Sequence, residues 1–245
     1  MKALLLAAGL GTRLKPLTDY IPKCLVPIHG RPLMDYWLEN LLNNGIEEVI
    51  INTHHLAPMV CHFLSSSKWN SKVKLVHEEL LLGTGGTFVK NRNFFEGEAC
   101  LVAHADNLTI FDPLMFSHVH SVRPPCTEMS MMVFETPDPQ SCGIVSIDTH
   151  GVVRSFHEKV INPPGTTANA AVYIFEPSVL KWMIDLGKTQ LDISTDVIPN
   201  FIGKIFTYHN NSYHRDIGTI ESWKQANLDF PSSLIMRNNC SRPIS

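Results

Sequence analysis

The chain has 245 residues, 44% of them hydrophobic, with 20 Lys and Arg against 23 Asp and Glu and a formal net charge of −3. That length buries one sizeable α/β core and predicts a single domain over residues 1–230, followed by a loosely held Pro-, Ser- and Asn-rich tail over residues 231–245. The near-neutral balance leaves no broad basic field for a phosphate backbone, which excludes nucleic acid as a main partner.

Residues 2–7 (KALLLA) form an apolar run stopped by glycine, as in a strand buried on both faces, and the run is too short to span a membrane or serve as a leader. A loop rich in Gly, Thr and Pro follows, up to Gly30. Pro32 then opens a helix whose Leu33, Tyr36, Trp37, Leu41 and Leu42 recur at helical spacing, and Gly45 caps it. Strands are expected at residues 48–52, 73–77 and 99–105, with a helix over residues 86–92, so strand and helix alternate as in a doubly wound parallel sheet. Beyond Glu128 the segments MSMMVF, GIVSID, GVVRSF and AAVYIF read as strands, so the second half is expected to add antiparallel strands and a lid over the first, with short helices over residues 177–184 and 195–202. The six cysteines are dispersed without a C-x-x-C pair and read as reduced thiols of a cytoplasmic protein. The histidines lack metal-ligand spacing and read as ordinary core or surface residues.

The first strand ends in Ala7-Ala8-Gly9-Leu10-Gly11-Thr12-Arg13, where small residues turn the backbone and expose amide N–H groups to anionic oxygens. A Walker A loop is excluded because no Gly-Lys-Ser/Thr follows. A dinucleotide fingerprint is excluded because Leu14 stands in place of the third glycine, and Asn52 and Thr53 in place of the acidic residue. Arg13, Lys15 and Lys23 follow within one loop, stiffened by prolines, and a guanidinium and an ammonium there can stabilise charge building on a triphosphate. From these residues alone, a strand-to-helix turn with solvated basic side chains stays equally open.

Residues 4–41, LLLAAGLGTRLKPLTDYIPKCLVPIHGRPLMDYWLENL, resemble the N-terminal signature of the sugar-1-phosphate nucleotidyltransferases: G-x-G-T-R-L-x-P-L-T, then P-K-x-L, then a proline-started helix. The resemblance implies a three-layer α/β/α, Rossmann-like nucleotide-diphospho-sugar transferase fold with a mixed, mostly parallel central sheet. It also implies a loop that holds the triphosphate through Ala8, Gly9, Gly11 and Thr12, with Arg13 and Lys23 on the phosphates as catalytic residues, and a requirement for Mg²⁺.

Attack of one phosphate on another brings like charges together and calls for a cation held by carboxylates. Asp106 ends the apolar run CLVAHA at the carboxyl edge of the sheet, and Asp216 ends a second apparent strand before Ile217-Gly218-Thr219. In the family the matching aspartates hold magnesium together, although Ala105 stands where Gly is usual. Either residue alone reads as a turn or capping aspartate.

The run from Glu78 through Gly83 and Thr84 to Thr87 resembles the family's L-G-T-x-G segment near the nucleobase, and its glycines allow close approach to a flat ring. Gly143, Glu158, Lys159 and Asn169 resemble its sugar-phosphate positions: a carboxylate and an amide suit vicinal hydroxyls, and a lysine suits the acceptor phosphate. The function expected is transfer of a nucleotidyl group from an NTP to a sugar 1-phosphate, with guanylyl transfer to mannose 1-phosphate ahead of uridylyl transfer. A phosphocholine-type acceptor and a non-catalytic nucleotide-sugar sensor are the alternatives. A homo-oligomer is compatible with the sequence.

Overall fold

The computed structural model describes residues 1–231, so the foreseen tail lies, but for Pro231, outside the described residues. Strand β1 (Lys2–Leu6) enters the glycine loop, and the two-residue strands β2 (Pro27–Ile28) and β3 (Arg31–Pro32) form a hairpin leading into α1 (Leu33–Leu42). The alternating part continues through β4 (Val49–Thr53), α2 (Ala57–Ser65), β5 (Val73–His77), α3 (Gly83–Lys90) and β6 (Cys100–His104). Then come β7 (Asn107–Ile110), α4 (Pro113–Ser121), β8 (Met129–Glu135), β9 (Gly143–Ile147), β10 (Val153–Glu158), β11 (Thr167–Phe175), α5 (Pro177–Asp185), β12 (Ile205–His209), β13 (Tyr213–Asp216) and α6 (Ile220–Asp229).

Strands β5, β4, β1 and β6 lie side by side in parallel, and β11 joins antiparallel to β6. The second half thus adds the expected antiparallel strands, but as an extension of the same nine-stranded sheet and not as a lid over it. Strand β11 carries the branching: β8 pairs along one edge, while the other edge is shared by β9 at Ala168 and β6 at Val172–Phe175.

Strand alternation separates the two layers of core. Ala3, Leu5, Val49 and Ile51 face Met34, Trp37, Leu38 and Leu41 of α1 with Val60 and Leu64 of α2, whereas Leu4, Leu6 and Ile50 face Phe88 of α3 and Val179, Leu180 and Met183 of α5. Both faces are covered, which explains why residues 3–6 of β1 and 49–51 of β4 are unbroken apolar runs. A third cluster of Leu14, Val26, Ile28, Leu33, Leu108, Ile217, Ala226 and Phe230 locks the glycine loop against α6 and the strands β7 and β13.

Helices α2, α4 and α6 go beyond the expectation from spacing. Their buried stripes are thin, with Val60 and Leu64 on α2 and Ala226 alone on α6, too few for a helical period to register. Helix α3 begins at Gly83 and not near Gly86, because the carbonyl of Leu191 accepts from the amides of Gly85 (2.8 Å) and Gly86 (3.0 Å). The expected helix over residues 195–202 is a π turn, Ile193–Val197, followed by a 3-10 turn, Ile198–Phe201. His120 is a core histidine bonded to Ser130 Oγ (2.8 Å) and Glu176 Oε1 (3.1 Å). The described cysteines are free thiols, and no helix among the described residues is long and apolar enough to cross a membrane.

Close packing of the 189–191 segment on α3 needs the glycines. At Gly83 φ is +76° and a Cβ would stand 2.5 Å from the Leu191 carbonyl oxygen. Gly83→Ala is expected to cost at least about 2 kcal/mol, seen as a fall in Tm of roughly 4–8 °C; an unchanged Tm would show that the segment yields freely.

Candidate nucleotide site

The carboxyl ends of β1, β4 and β6 open onto a cleft lined by Leu6, Ala7, Ala8, Gly9, Lys23, Cys24, Asn52, Glu78, Leu81, Gly83, Thr84, Thr87, His104 and Asp106. This is the edge at which open α/β sheets take ligands. A methyl at Gly9 would meet nothing within 4 Å, so the cleft is open there, whereas Gly11 adopts φ +63° and a Cβ would press to 2.9 Å on Thr18 Cγ2 and 3.3 Å on Lys23 Cβ. The Thr18 hydroxyl closes the turn by donating to the Gly11 carbonyl at 2.8 Å. Gly11 thus lets the loop double back onto the segment that carries Lys23.

Lys23 begins a 3-10 turn behind Pro22, with Cys24 and Leu25 buried beneath it. Its Nζ donates to Asp106 Oδ2 at 2.7 Å and to Asp216 Oδ1 at 3.2 Å. Burial alone would depress this ammonium, but the charges of Asp106 and Asp216 outweigh it and raise its pKa above the usual lysine range. At Asp106 burial pushes the carboxyl upward, and the Lys23 charge, helped by His104, outweighs that and holds it below the usual range. Asp106 follows β6, and Asp216 ends β13, which pairs with β7 through Asp216–Asn107 and so brings the second carboxylate beside the first. Arg13 Nη2 reaches Asp216 Oδ2 at 3.5 Å, and a Cβ on Gly218 would come within 2.5 Å of that oxygen and 3.0 Å of Arg13 Nη2.

The two aspartate side chains are 37% and 50% exposed, although both contact a lysine side chain only 8% exposed. Two accessible carboxylates converging on one point suit a hard cation that takes its remaining oxygens from phosphates and water. No cluster of three or more acidic, His or Cys side chains able to hold a metal occurs among the described residues. The donor set therefore fits Mg²⁺ shared with a substrate better than a cation caged by protein.

Of the candidates named from the sequence, Ala8, Gly9, Lys23, Glu78, Gly83, Thr84 and Asp106 lie together in the lining of this cleft. Gly11, Thr12, Arg13 and Asp216 lie outside its lining, and Lys23 and Asp216 tie this group to it. The Thr84 hydroxyl donates to Asp192 Oδ2 (3.0 Å) and accepts from the Ile193 amide (2.7 Å), which anchors the 192–193 segment to the cleft wall.

The four acceptor candidates form a separate group on β9, β10 and β11. Gly143 pairs with Glu158, and a Cβ there would stand 2.7 Å from Glu158 Oε2. Lys159 adopts φ +49° and pairs with Glu158 at 3.3 Å. Asn169 lies at the irregular point of β11, donating to Tyr173 Oη (2.7 Å) and accepting from the Ala171 amide (3.0 Å).

Sequence reasoning missed Asn52, Thr87, Cys24, Leu81, His104 and Gly218. Asn52 carried a readable signal, an amide ending the apolar run EVIIN at the ligand edge of the sheet. Asn52 Oδ1 accepts from the Ala7 amide (2.7 Å), and its Nδ2 donates to Glu78 Oε1 and Thr87 Oγ1, both at 3.2 Å.

The chain is similar to proteins already known. A mannose-1-phosphate guanylyltransferase of Mycobacterium tuberculosis is 31% identical over 93% of the chain, and a UTP–glucose-1-phosphate uridylyltransferase of Synechocystis sp. is 29% identical over 92%. The chain spans 64% and 62% of the length of these two relatives. The solved structure of HddC from Yersinia pseudotuberculosis superposes with a TM-score of 0.78 at 28% identity, covering 94% of this chain and 99% of that one, and HddC has also been solved in complex with GMP-PN. The family model described as nucleotidyl transferase matches residues 2–233, which takes in the glycine loop, Lys23 and both aspartates, and the chain belongs to that family.

Proposed function

We propose that the chain transfers a nucleotidyl group from a nucleoside triphosphate to a sugar 1-phosphate, giving a nucleotide diphosphate sugar and pyrophosphate. The observation that carries this reading is the buried Lys23 ammonium held between two strand-end carboxylates at the mouth of the cleft. The names of the Mycobacterium and Synechocystis relatives describe this reaction with different bases and sugars; guanylyl transfer to mannose 1-phosphate is the form proposed first.

In the proposed reaction an oxygen of the acceptor phosphate attacks the α-phosphorus. A new P–O bond forms there, the bond to the β-phosphate oxygen breaks, and pyrophosphate leaves with the electron pair. No protein nucleophile is required. The backbone of Ala8, Gly9 and Gly11 with Thr12 cradles the triphosphate. Lys23 orients the acceptor phosphate, an anion comparable to the carboxylates it already holds, and Arg13 stabilises the departing pyrophosphate. Glu78, Gly83 and Thr84 form the wall for the base. Gly143, Glu158, Lys159 and Asn169 receive the sugar phosphate. Asp106 and Asp216 would hold Mg²⁺, which supplies neutralisation of the charge that accumulates between the two phosphates.

A matrix of four NTPs against a panel of sugar 1-phosphates, read out as pyrophosphate, tests the reading. Release in at least one cell is expected; nucleotide binding with no release in any cell overturns it in favour of a sensor. Lys23→Ala should lower kcat/KM by roughly a hundredfold or more with the circular dichroism spectrum retained, and near-normal turnover would remove Lys23 from the mechanism. Chelation of divalent cations should abolish turnover, and Asp216→Asn should raise the Mg²⁺ concentration giving half-maximal rate; an unchanged requirement would place the cation elsewhere. Gly218→Ala should reduce turnover by wedging a methyl between Asp216 and Arg13, whereas wild-type rates would mean those side chains move aside without cost.

A further inference from the structure

The segment that would receive the phosphates has little regular structure of its own. From Ala7 to Val26 it amounts to three 3-10 turns, yet a phosphate nest works best when its amides already point where the phosphates will stand. The rigidity comes from the end of β4. Asn52 Oδ1 accepts from the Ala7 amide where the loop begins. Three residues further on, His55 Nε2 lies 2.9 Å from the Thr18 carbonyl oxygen, and the Thr18 hydroxyl in turn donates to the Gly11 carbonyl. A carbonyl oxygen can only accept, so Nε2 carries the hydrogen, and the bond forms with the neutral ring and the imidazolium alike.

Thr18 is 1% exposed, so little water can replace His55 at its carbonyl. It also packs against both parts of the loop that the reaction uses: the space a Cβ at Gly11 would take is bounded by Thr18 Cγ2 at 2.9 Å and by Lys23 Cβ at 3.3 Å. A shift of Thr18 is therefore passed to the turn at Gly11 and to the stem of Lys23. His55 itself lies outside the lining of the cleft and makes no second hydrogen bond among the described residues. Asn52, in contrast, also serves Glu78 and Thr87. We infer that His55 is a positioning residue for the triphosphate: through Thr18 it holds the amides around Gly11, and with them Lys23, in the arrangement that takes the phosphate chain. The inference rests on the nucleotidyl-transfer reading above. Because the brace ends on the phosphate loop and not on the wall of Glu78, Gly83 and Thr84, losing it weakens the grip on phosphates and spares the grip on the base.

The test is calorimetric titration of the full chain with each of the four nucleoside triphosphates and its monophosphate in the presence of Mg²⁺, with pyrophosphate release measured in parallel. His55→Leu removes the donor and keeps much of the bulk of the ring. Its affinity for triphosphate is expected to fall roughly threefold to tenfold, as for one lost hydrogen bond, with monophosphate affinity nearly unchanged, and its kcat/KM roughly tenfold to a hundredfold. His55→Gln, whose amide nitrogen can stand in for Nε2, should restore both. Thr18→Val breaks the next link. Since the two bonds act in series, the double variant His55→Leu/Thr18→Val should bind triphosphate no more weakly than the weaker single variant. If His55→Leu does not fold, Thr18→Val carries the comparison under the same criteria. Wild-type triphosphate affinity in the variant, an equal loss for monophosphate and triphosphate, or additive losses in the double variant overturns the inference. Selective loss of triphosphate affinity where the wild type releases no pyrophosphate sustains it and rejects the catalytic reading instead, so the two failures are told apart. No triphosphate binding by the wild type overturns both.

Discussion

Everything at this site is arranged around one buried ammonium held by two carboxylates. Burial disfavours the Lys23 cation, and the pull of Asp106 and Asp216 outweighs that, while the Lys23 charge in turn favours the ionised Asp106. The three residues are far apart in sequence, and the fold must deliver them: a loop after β1, the end of β6, and a strand near the end of the domain. Pairing of β13 with β7 and the apolar cluster of Leu14, Val26, Leu108 and Ile217 supply that delivery. The cluster packs directly behind the charged residues, so the register of β13 fixes where the second carboxylate stands.

The parallel strands give the site its direction. Because β1, β4 and β6 run the same way, their carboxyl ends open together, and the groups that end them share one cleft: Ala7 and Ala8 after β1, Asn52 on β4, His104 and Asp106 on and after β6. The amide of Asn52 spans this edge, linking the backbone of Ala7 to the carboxylate of Glu78. One side chain thereby fixes the orientation of its neighbours on both sides, and the polar groups of a largely apolar cleft are held before a ligand enters.

The alternating strands and α1 were legible because their patterns are strong: apolar runs stopped by glycine, and seven buried residues on one ten-residue helix. The helices α2, α4 and α6 were not, because each buries too little for a period to emerge. The glycine loop, Lys23 and the two aspartates could be read from charge placed at strand ends, and their convergence on a single Nζ could not, since it depends on the pairing of β13 with β7. The second half misled for a related reason. Alternating strands announce antiparallel pairing without saying to what, and only the branch at β11 shows that they continue the first sheet. The glycines after Leu82 suggested room for a base, and at Gly83, Gly85 and Gly86 they also make room for the backbone of residues 189–191.

The branch at β11 has a further meaning for how acceptor choice can change. The β9–β10 hairpin, which carries Gly143, Glu158 and Lys159, joins β11 through the single register pair Ala168–Ile144 and β12 through the bridge Val152–Phe206. It forms no strand pairing with β1, β4 or β6. Its tie to the parallel strands is apolar instead: Val145 and Val153 pack in one buried cluster with Leu4, Leu6, Ile50 and Val102, so substitutions on the solvent side of the hairpin leave the hydrogen-bonded ladder of the parallel strands untouched, whereas those at Val145 or Val153 reach it through the core.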